Sequence, residues 1–286
     1  MPRDLRSIVR DISDLPTLPQ VVTRIMSMMD DPNTSAEDVN NVLERDPTLV
    51  AKILKLVNSA FYGLPHKISS VRQAIVILGF STVRSLAISA AVFDLFGEGS
   101  GEGFSRIKFW EHSIGVASAA RLVGRREGGI DEETAFVTGL LHDLGKLVLD
   151  QYAPDEFSEI LKLARKESIS FVDAEQVVLR DTSHGEIGGW LAEQWRLPEE
   201  LIAGIRHHHS VLGAGGHGQR LASICSFCDF VCLAKGIGSS GSYAEPQLDP
   251  EAWGRLSIPK EELPGFVEIL GEELEKSETL LGSAVG

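Results

Sequence analysis

Apolar residues recur at intervals of three or four positions along most of this chain, which is the period of an amphipathic α-helix. Near the start of the chain, the apolar positions are Val21, Val22, Ile25, Met26 and Met29. Alternation of apolar and polar residues, the signal of a half-buried β-strand, does not compete with this pattern. The sequence therefore predicts an all-α fold.

Capping residues divide the pattern into short helices. Residues 35–38 form a capping box, in which a serine and an aspartate three residues later protect the first turn of a helix. Asp46 precedes a proline, and this pair suits the N-cap and the first position of the next helix. A further helix should open at Ser70 and stop at Gly79, and another should begin at Ser81. These signals predict consecutive helices through the first hundred residues.

A glycine-rich stretch at residues 97–103 is the best candidate for a boundary between two lobes. It separates an N-terminal helical lobe, residues 1–100, from a second helical lobe, residues 101–286, which ends in an acidic extension. Residues 235–246, rich in glycine and serine, predict a flexible loop. The second lobe should contain helices that begin near Phe104, Asp131, Asp173 (continuing past His184) and Pro198, and a shorter one from Glu261 to Glu278.

Negative charge is concentrated in the second lobe. Residues 1–100 hold 10 Lys/Arg and 11 Asp/Glu, whereas the remainder holds 17 and 30, which accounts for the net charge of −14 and the pI near 5.0. The sequence offers no basic stripe for phosphate groups, so direct binding of nucleic acid is disfavoured. Ten Asp/Glu and three Lys/Arg fall after residue 240, where a solvated face is favoured over an acidic docking tail.

The chain contains no run of 18 or more uncharged apolar residues, and its N-terminus lacks the apolar region of a signal peptide. We therefore expect a cytoplasmic protein without membrane contacts. Cys225, Cys228 and Cys232 are spaced along one helical stripe in an apolar segment. We interpret them as core residues, in preference to a disulfide framework or an iron–sulfur site.

His142 and Asp143 point most directly to chemistry, because an adjacent imidazole and carboxylate can bind two sides of one metal centre. Apolar neighbours place the pair at the edge of a core, where unpaired charge is costly; a hydrogen-bonded structural pair is the alternative. Further candidate ligands are His112, His184, the triplet His207, His208 and His209, and Asp229. With two histidines taken from the triplet, five imidazoles and two carboxylates suit iron, manganese, nickel or zinc, as one or two ions, better than magnesium or calcium.

The histidine triplet needs a choice, because adjacent helical residues differ in direction by about 100° and cannot all face one cleft. The residues themselves leave that choice open.

The order and spacing of these residues resemble known families. His112, His142-Asp143 and Asp229 match the H…HD…D pattern of the HD phosphohydrolase superfamily, and His184 with the later histidines matches its HD-GYP branch. The first hundred residues resemble the HDOD family, an HD-related output domain of bacterial signalling. The matching segments there are Leu15 to Pro19, Asn58-Ser59-Ala60 and Leu78-Gly79.

The resemblance implies roles for particular residues. His208 and His209 would be the ligands of the triplet, with His207 a surface or supporting imidazole. Asp143 and Lys146 would be the catalytic residues of a metal-dependent phosphate-ester hydrolysis, Lys146 stabilising a phosphate oxygen, although a structural lysine fits the same position.

Two hypotheses of different class follow. The first is a signalling output module that acts through protein contacts and retains an HD-type, dinuclear metal site. Its partner would be another signalling protein, because the chain has no receiver, kinase or cyclase segment. The second is a phosphohydrolase or phosphodiesterase acting on a nucleotide or cyclic dinucleotide. HD-GYP proteins carry a Gly-Tyr-Pro loop after the paired histidines, and residues 210–216 lack it, which argues against hydrolysis of cyclic di-GMP.

Overall fold

The computed structural model describes residues 16–29, 31, 33–96, 100–101 and 103–271. Within this part of the chain, residues 16–96 form one compact unit and residues 100–271 form another. Nearly all regular structure in both units is helical, which confirms the predicted all-α fold. The glycine-rich stretch predicted as the boundary is described only at positions 100, 101 and 103.

The first unit is built around one long apolar helix. Its helices are α1 (Gln20–Met29), α2 (Ala36–Leu43), α3 (Pro47–Val57) and α4 (Val71–Phe96), with a 3₁₀ turn at Ala60–Tyr62. Helix α4 contacts each of the other three. Ser35 caps α2 in the predicted capping box, and the carboxylate of Asp46 accepts a hydrogen bond from the Leu49 amide at the start of α3. Both predicted helix starts are confirmed.

Helix α4 changes direction at Gly79, whose backbone angles are φ 89° and ψ 167°. This positive φ is accessible to glycine at little cost, so the predicted stop and restart are confirmed as a kink. Within the described part of the chain, α4 alone has the length and apolar composition of a membrane-spanning helix, and 61% of its most apolar window is buried. Its burial and its kink match the core helix of a folded unit.

The second unit begins with a small antiparallel pair of strands and continues as helices. The strands are β1 (Ser100–Gly101) and β2 (Phe104–Ser105). The helices are α5 (Arg106–Glu127), α6 (Glu132–Leu141), α7 (Leu144–Tyr152), α8 (Pro154–Glu167), α9 (Phe171–Leu179), α10 (His184–Gln194), α11 (Glu199–Arg206), α12 (Gly216–Ala234) and α13 (Pro250–Trp253). Helical residues 263–271 follow a 3₁₀ turn at Lys260–Glu262, and the predicted extension to Glu278 lies outside the described residues.

The core of the second unit is the packing of α5 on α6, with α12 against both. Helix α7 crosses α10 so closely that a Cβ on Gly145 would lie 1.9 Å from the carbonyl oxygen of His184. A glycine at this position lets the start of α10 approach the start of α7. The three cysteines of α12 are buried, as predicted for core residues.

One prediction about this unit is wrong. The helix predicted to run from Asp173 past His184 breaks after Leu179, and α10 starts anew because the Ser183 side chain accepts a hydrogen bond from the amide of Glu186.

The predicted loop at residues 235–246 has no helix or strand beyond the end of α12, and part of it packs against the helices. We call residues 236–249 the strap. The Ser239 amide donates to the carbonyl of Lys108 at 2.9 Å, and the Tyr243 amide donates to the carbonyl of Ile169 at 3.2 Å. Ser240 is buried within this segment. The strap therefore belongs to the folded unit.

Candidate metal centre

The structure brings the seven predicted ligands together from five places in the second unit. His112 lies on α5, His184 is the first residue of α10, and Asp229 lies on α12. The other four ligands lie in two turns, one between α6 and α7 and one after α11; they are His142, Asp143, His208 and His209.

Because these four residues lie in turns, adjacent side chains can face the same centre. Helix α6 ends at Leu141 and helix α11 ends at Arg206, so neighbouring side chains beyond these ends are not held 100° apart. His207 lies apart from the cluster: it is half-buried, and its Nδ1 is 3.3 Å from the hydroxyl of Ser210. The role of His207 as a surface or supporting imidazole stays a prediction.

Four of these imidazoles are held from outside through Nδ1. His142 donates to the carbonyl of Gly139 at 2.7 Å, and His208 donates to the carbonyl of Ile205 at 2.7 Å. Nδ1 of His184 is 2.9 Å from both oxygens of the buried Glu175 carboxylate, and Nδ1 of His112 is 3.3 Å from the carbonyl of Ile237. Because these carbonyl and carboxylate oxygens only accept, Nδ1 carries a hydrogen, and whenever a ring is neutral its Nε2 is unprotonated and faces inward.

The Nε2 atoms converge on the two carboxylates. His184 Nε2 is 3.1 Å from Asp143 Oδ1 and His208 Nε2 is 3.7 Å from the same oxygen. His142 Nε2 is 3.3 Å from Asp143 Oδ2. On the other side of the cluster, His112 Nε2 is 2.9 Å from Asp229 Oδ1, and His142 Nε2 is 4.0 Å from that oxygen.

These ligand atoms form two groups that share Asp143. One group contains His112, His142 and Asp143, and the other contains Asp143, His184, His208 and His209. Within each group the nitrogen and oxygen atoms lie within 4.8 Å of one another. Asp143 belongs to both groups, and Asp229 lies beside the first through its contact with His112.

Both carboxylates are held in the ionised form that binds metals. Burial opposes ionisation of Asp143, but His142 and Lys146 outweigh it and hold its pKa well below the usual range. For Asp229, burial again acts in the opposite direction, and the hydrogen bond and charge of His112 lower the pKa to about 2. The Lys146 ammonium donates to Asp143 Oδ2 at 2.7 Å and is itself buried.

The imidazoles divide into two sets. Burial, followed by the neighbouring histidines, lowers the pKa of His208 well below its usual value. Desolvation by the surrounding protein atoms, followed by the charge of His184, lowers the pKa of His209 to about 3, although the His209 side chain is exposed to solvent. Burial favours the neutral form of His142, but the charge of Asp143 outweighs burial and raises the pKa of His142. For His184, the buried glutamate that accepts its Nδ1 hydrogen likewise outweighs burial and raises the pKa. Metal binding would release any proton held on these last two rings.

A bound metal ion would give partners to buried polar atoms that otherwise lack them. His142 Nε2 and Asp143 Oδ1 are fully buried, and neither has a partner in hydrogen-bonding geometry among the described residues. His184 Nε2 and His208 Nε2 are 3.1 Å apart, although both rings donate outward through Nδ1. Two imidazole nitrogens bound to one ion at about 2.0–2.1 Å would lie roughly 3 Å apart. The residues present therefore fit a transition-metal centre.

Sequence reasoning missed the groups that hold the ligands in place. Glu175 is buried on α9 and accepts both the backbone amide of His184 at 2.8 Å and its Nδ1 hydrogen. Its nine-residue separation from His184 follows no spacing rule. The other anchors are backbone carbonyls of Gly139, Ile205 and Ile237, which carry no sequence signal.

A cavity of about 360 Å³ opens onto one side of the cluster. Lys146, His209 and Asp229 line it on the cluster side, and Asp173 and residues 240–249 of the strap line it elsewhere. Small molecules can therefore reach the candidate metal centre from solvent.

Comparison with known proteins identifies the family. A model described as the HDOD domain matches residues 15–211, which is more than half of the chain. The chain belongs to the HDOD family. An HDOD domain protein of unknown function from Geobacter sulfurreducens is similar over 98% of this chain and 96% of its own, with 30% identity and a TM-score of 0.79.

Other solved structures share the HDOD fold at lower identity. A proposed phosphohydrolase from Shewanella amazonensis SB2B has 23% identity, covers 98% of both chains and gives a TM-score of 0.77. A proposed signal transduction protein from Marinobacter aquaeolei VT8 has 22% identity and a TM-score of 0.79, over 99% of this chain and 65% of its own. An uncharacterized protein of Treponema pallidum (strain Nichols) is 26% identical over 226 residues, which is 78% of this chain and 43% of that protein. This chain thus spans less than half the length of that curated relative.

Proposed function

We propose that this HDOD chain is a signal-transduction output module of the cytoplasm whose second unit holds a dinuclear centre of divalent transition metals and acts through contacts with another protein. The observation that carries the metal site is the set of four imidazoles anchored outward at Nδ1 and turned inward at Nε2 around Asp143. Outer-sphere anchoring of this kind fixes the tautomer and the direction of a metal-binding histidine. The donor set of nitrogens and carboxylates favours iron, manganese, nickel or zinc.

Signalling through protein contacts is supported by the family and by the Marinobacter relative named as a proposed signal transduction protein. Among its described positions, the first unit has no comparable cluster of ligand residues. We therefore propose that it contributes to signalling through its surface.

A second candidate function, metal-dependent hydrolysis of a phosphate ester, is favoured by the cavity beside the cluster. Lys146 and His209 line that cavity, where a lysine could hold an anionic oxygen and a metal-bound water could be activated. The Shewanella relative is named as a proposed phosphohydrolase.

The two ligand groups allow a sharp test of the metal proposal. Metal content is measured on protein purified without added metal, for the wild type and three variants. We expect about two ions per chain, loss of about one in His112→Ala, loss of the other in His209→Ala, and loss of both in Asp143→Ala, because this carboxylate belongs to both groups. His217→Ala, at an exposed histidine of α12, is the matched control. A folded Asp143→Ala variant with wild-type metal content would contradict the proposal.

Turnover and signal transmission separate the two functions. The signalling proposal expects amide hydrogen exchange in residues 16–96 to differ between metal-loaded and metal-free protein, with little or no phosphate release from cyclic mono- and dinucleotides. Turnover within tenfold of a typical enzyme rate of about 10 per second, abolished by Asp143→Ala, would favour the hydrolase instead.

A further inference from the structure

The cavity beside the metal cluster has a distinct charge pattern, which bears on what it can bind. Its deep end holds Lys146 and Asp229, both buried, while Asp173 and Glu245 are exposed in its outer walls. Among the described residues that line the cavity, Lys146 is the only lysine or arginine. Asp249 adds a further carboxylate to the walls.

The deep end is suited to one anionic group. Lys146 Nζ lies 2.7 Å from Asp143 Oδ2 and 4.7 Å from the centre of the Phe171 ring, so its position is fixed on two sides. One lysine beside a metal centre can hold one phosphate or carboxylate. The described walls offer no arginine or second lysine to neutralise another anionic group.

The outer walls are suited to a cation. Exposed carboxylates at Asp173 and Glu245 create a negative potential that attracts cations and repels additional phosphates. Phe230 lines the same cavity, and the faces of aromatic rings attract ammonium groups. The hydroxyls of Ser226 and Ser240 add hydrogen-bonding capacity.

Size restricts the ligand further. The volume of about 360 Å³ lies at the lower end of ligand sites, which run from about 300 to 1,000 Å³. A cyclic dinucleotide, with two bases, two sugars and two phosphates, is a poor match in both size and charge.

From these features we propose that the cavity takes a small zwitterion, in which one phosphate or carboxylate is directed to Lys146 and the metal cluster and one ammonium group is directed to Asp173 and Glu245. This inference deepens the proposed function, since it names the ligand class that would be sensed or processed at the metal site. On this inference, the acidic outer walls would select against polyanionic nucleotides.

The test is calorimetric titration of the full chain, in manganese-loaded and metal-free forms, with three probes. O-phosphoethanolamine carries both charges, glycerol 3-phosphate has similar size without the cation, and cyclic di-GMP is large and dianionic. We expect O-phosphoethanolamine to bind about tenfold more tightly than glycerol 3-phosphate, and cyclic di-GMP to bind most weakly. The order should hold in both forms because Lys146 and the outer carboxylates are present in both.

Variants locate the cation site. The double variant Asp173→Asn, Glu245→Gln should weaken binding of O-phosphoethanolamine by about fivefold, the combined effect expected for two exposed charge pairs. The same variant should leave glycerol 3-phosphate unchanged or bound more tightly. Glu159→Gln, an exposed glutamate of α8 outside the cavity lining, is the control.

The outcomes separate this inference from the proposed function. Absence of bound metal in the wild type would overturn the dinuclear centre. The order of the three probe affinities in metal-free protein would still decide the ligand class. Equal affinity for the two small probes, tighter binding of cyclic di-GMP, or equal losses in the double variant and in Glu159→Gln would overturn the zwitterion site.

Discussion

Replacing Glu175 with glutamine tests whether this buried carboxylate holds His184 in position for metal binding. Glu175 accepts the backbone amide of His184 at 2.8 Å and the Nδ1 hydrogen at 2.9 Å. Glutamine keeps the shape but offers one acceptor oxygen, and its NH₂ group then faces one of the two N–H donors. One charge-assisted hydrogen bond is lost and the other becomes neutral.

The size of the effect follows from these contacts. A hydrogen bond to a charged group contributes about 1.5–3 kcal/mol, and about 1.4 kcal/mol corresponds to a tenfold change in affinity. Loss of a supporting carboxylate behind a metal-bound histidine typically weakens metal affinity by about 10–100-fold. We expect Glu175→Gln to bind metal about 30-fold more weakly, while the protein remains folded.

The assay is competitive titration of manganese or zinc against a chelator of known affinity, at one pH and with circular dichroism to verify folding. Glu186→Gln is the matched control, because Glu186 lies two residues after His184 on the same helix but pairs with Arg206 at 3.3 Å near the surface. A folded Glu175→Gln protein that binds metal within twofold of the wild type would refute the positioning role of Glu175.

Two further predictions concern stability. Gly145→Ala would place a Cβ 1.9 Å from the His184 carbonyl oxygen. We expect chemical denaturation to show that the unfolding free energy falls by about 3 kcal/mol or more. The control Gly265→Ala, where an added Cβ meets no atom within 4 Å, should change the unfolding free energy little, and equal effects of the two substitutions would contradict the close crossing. Arg106→Ala breaks the largely buried pair with Asp150, whose nearest atoms are 2.7 Å apart. Its unfolding free energy should fall by about 3–5 kcal/mol, and a change below about 1 kcal/mol would show that the pair is dispensable.

Local signals account for the parts of the fold that the sequence predicted well. Ser35, Asp46 and Asp131 cap helices through side-chain contacts within three residues of themselves, so their patterns are readable without tertiary information. The break before α10 carried the same kind of signal, since Ser183 precedes Glu186 by three residues, but the apolar period through this segment obscured it.

Tertiary contacts explain what the sequence could not predict. The strap has a glycine- and serine-rich composition typical of loops, yet its amides pair with carbonyls of Lys108 and Ile169, far away in the sequence. Likewise, candidate ligands were visible as residue types, whereas their anchors at Glu175 and at backbone carbonyls depend on how the helices meet. The metal itself stays a prediction from the chemistry of the donors.

The buried charges explain why Lys146 lies inside the site. Asp143 is 1% exposed, and an ionised carboxylate with so little solvent needs a nearby cation. Lys146 supplies one at 2.7 Å, and it also faces the cavity. It therefore neutralises only part of a cluster that contains two carboxylates and several inward-facing Nε2 lone pairs. A bound divalent ion would supply further positive charge and would bind the Nε2 lone pairs.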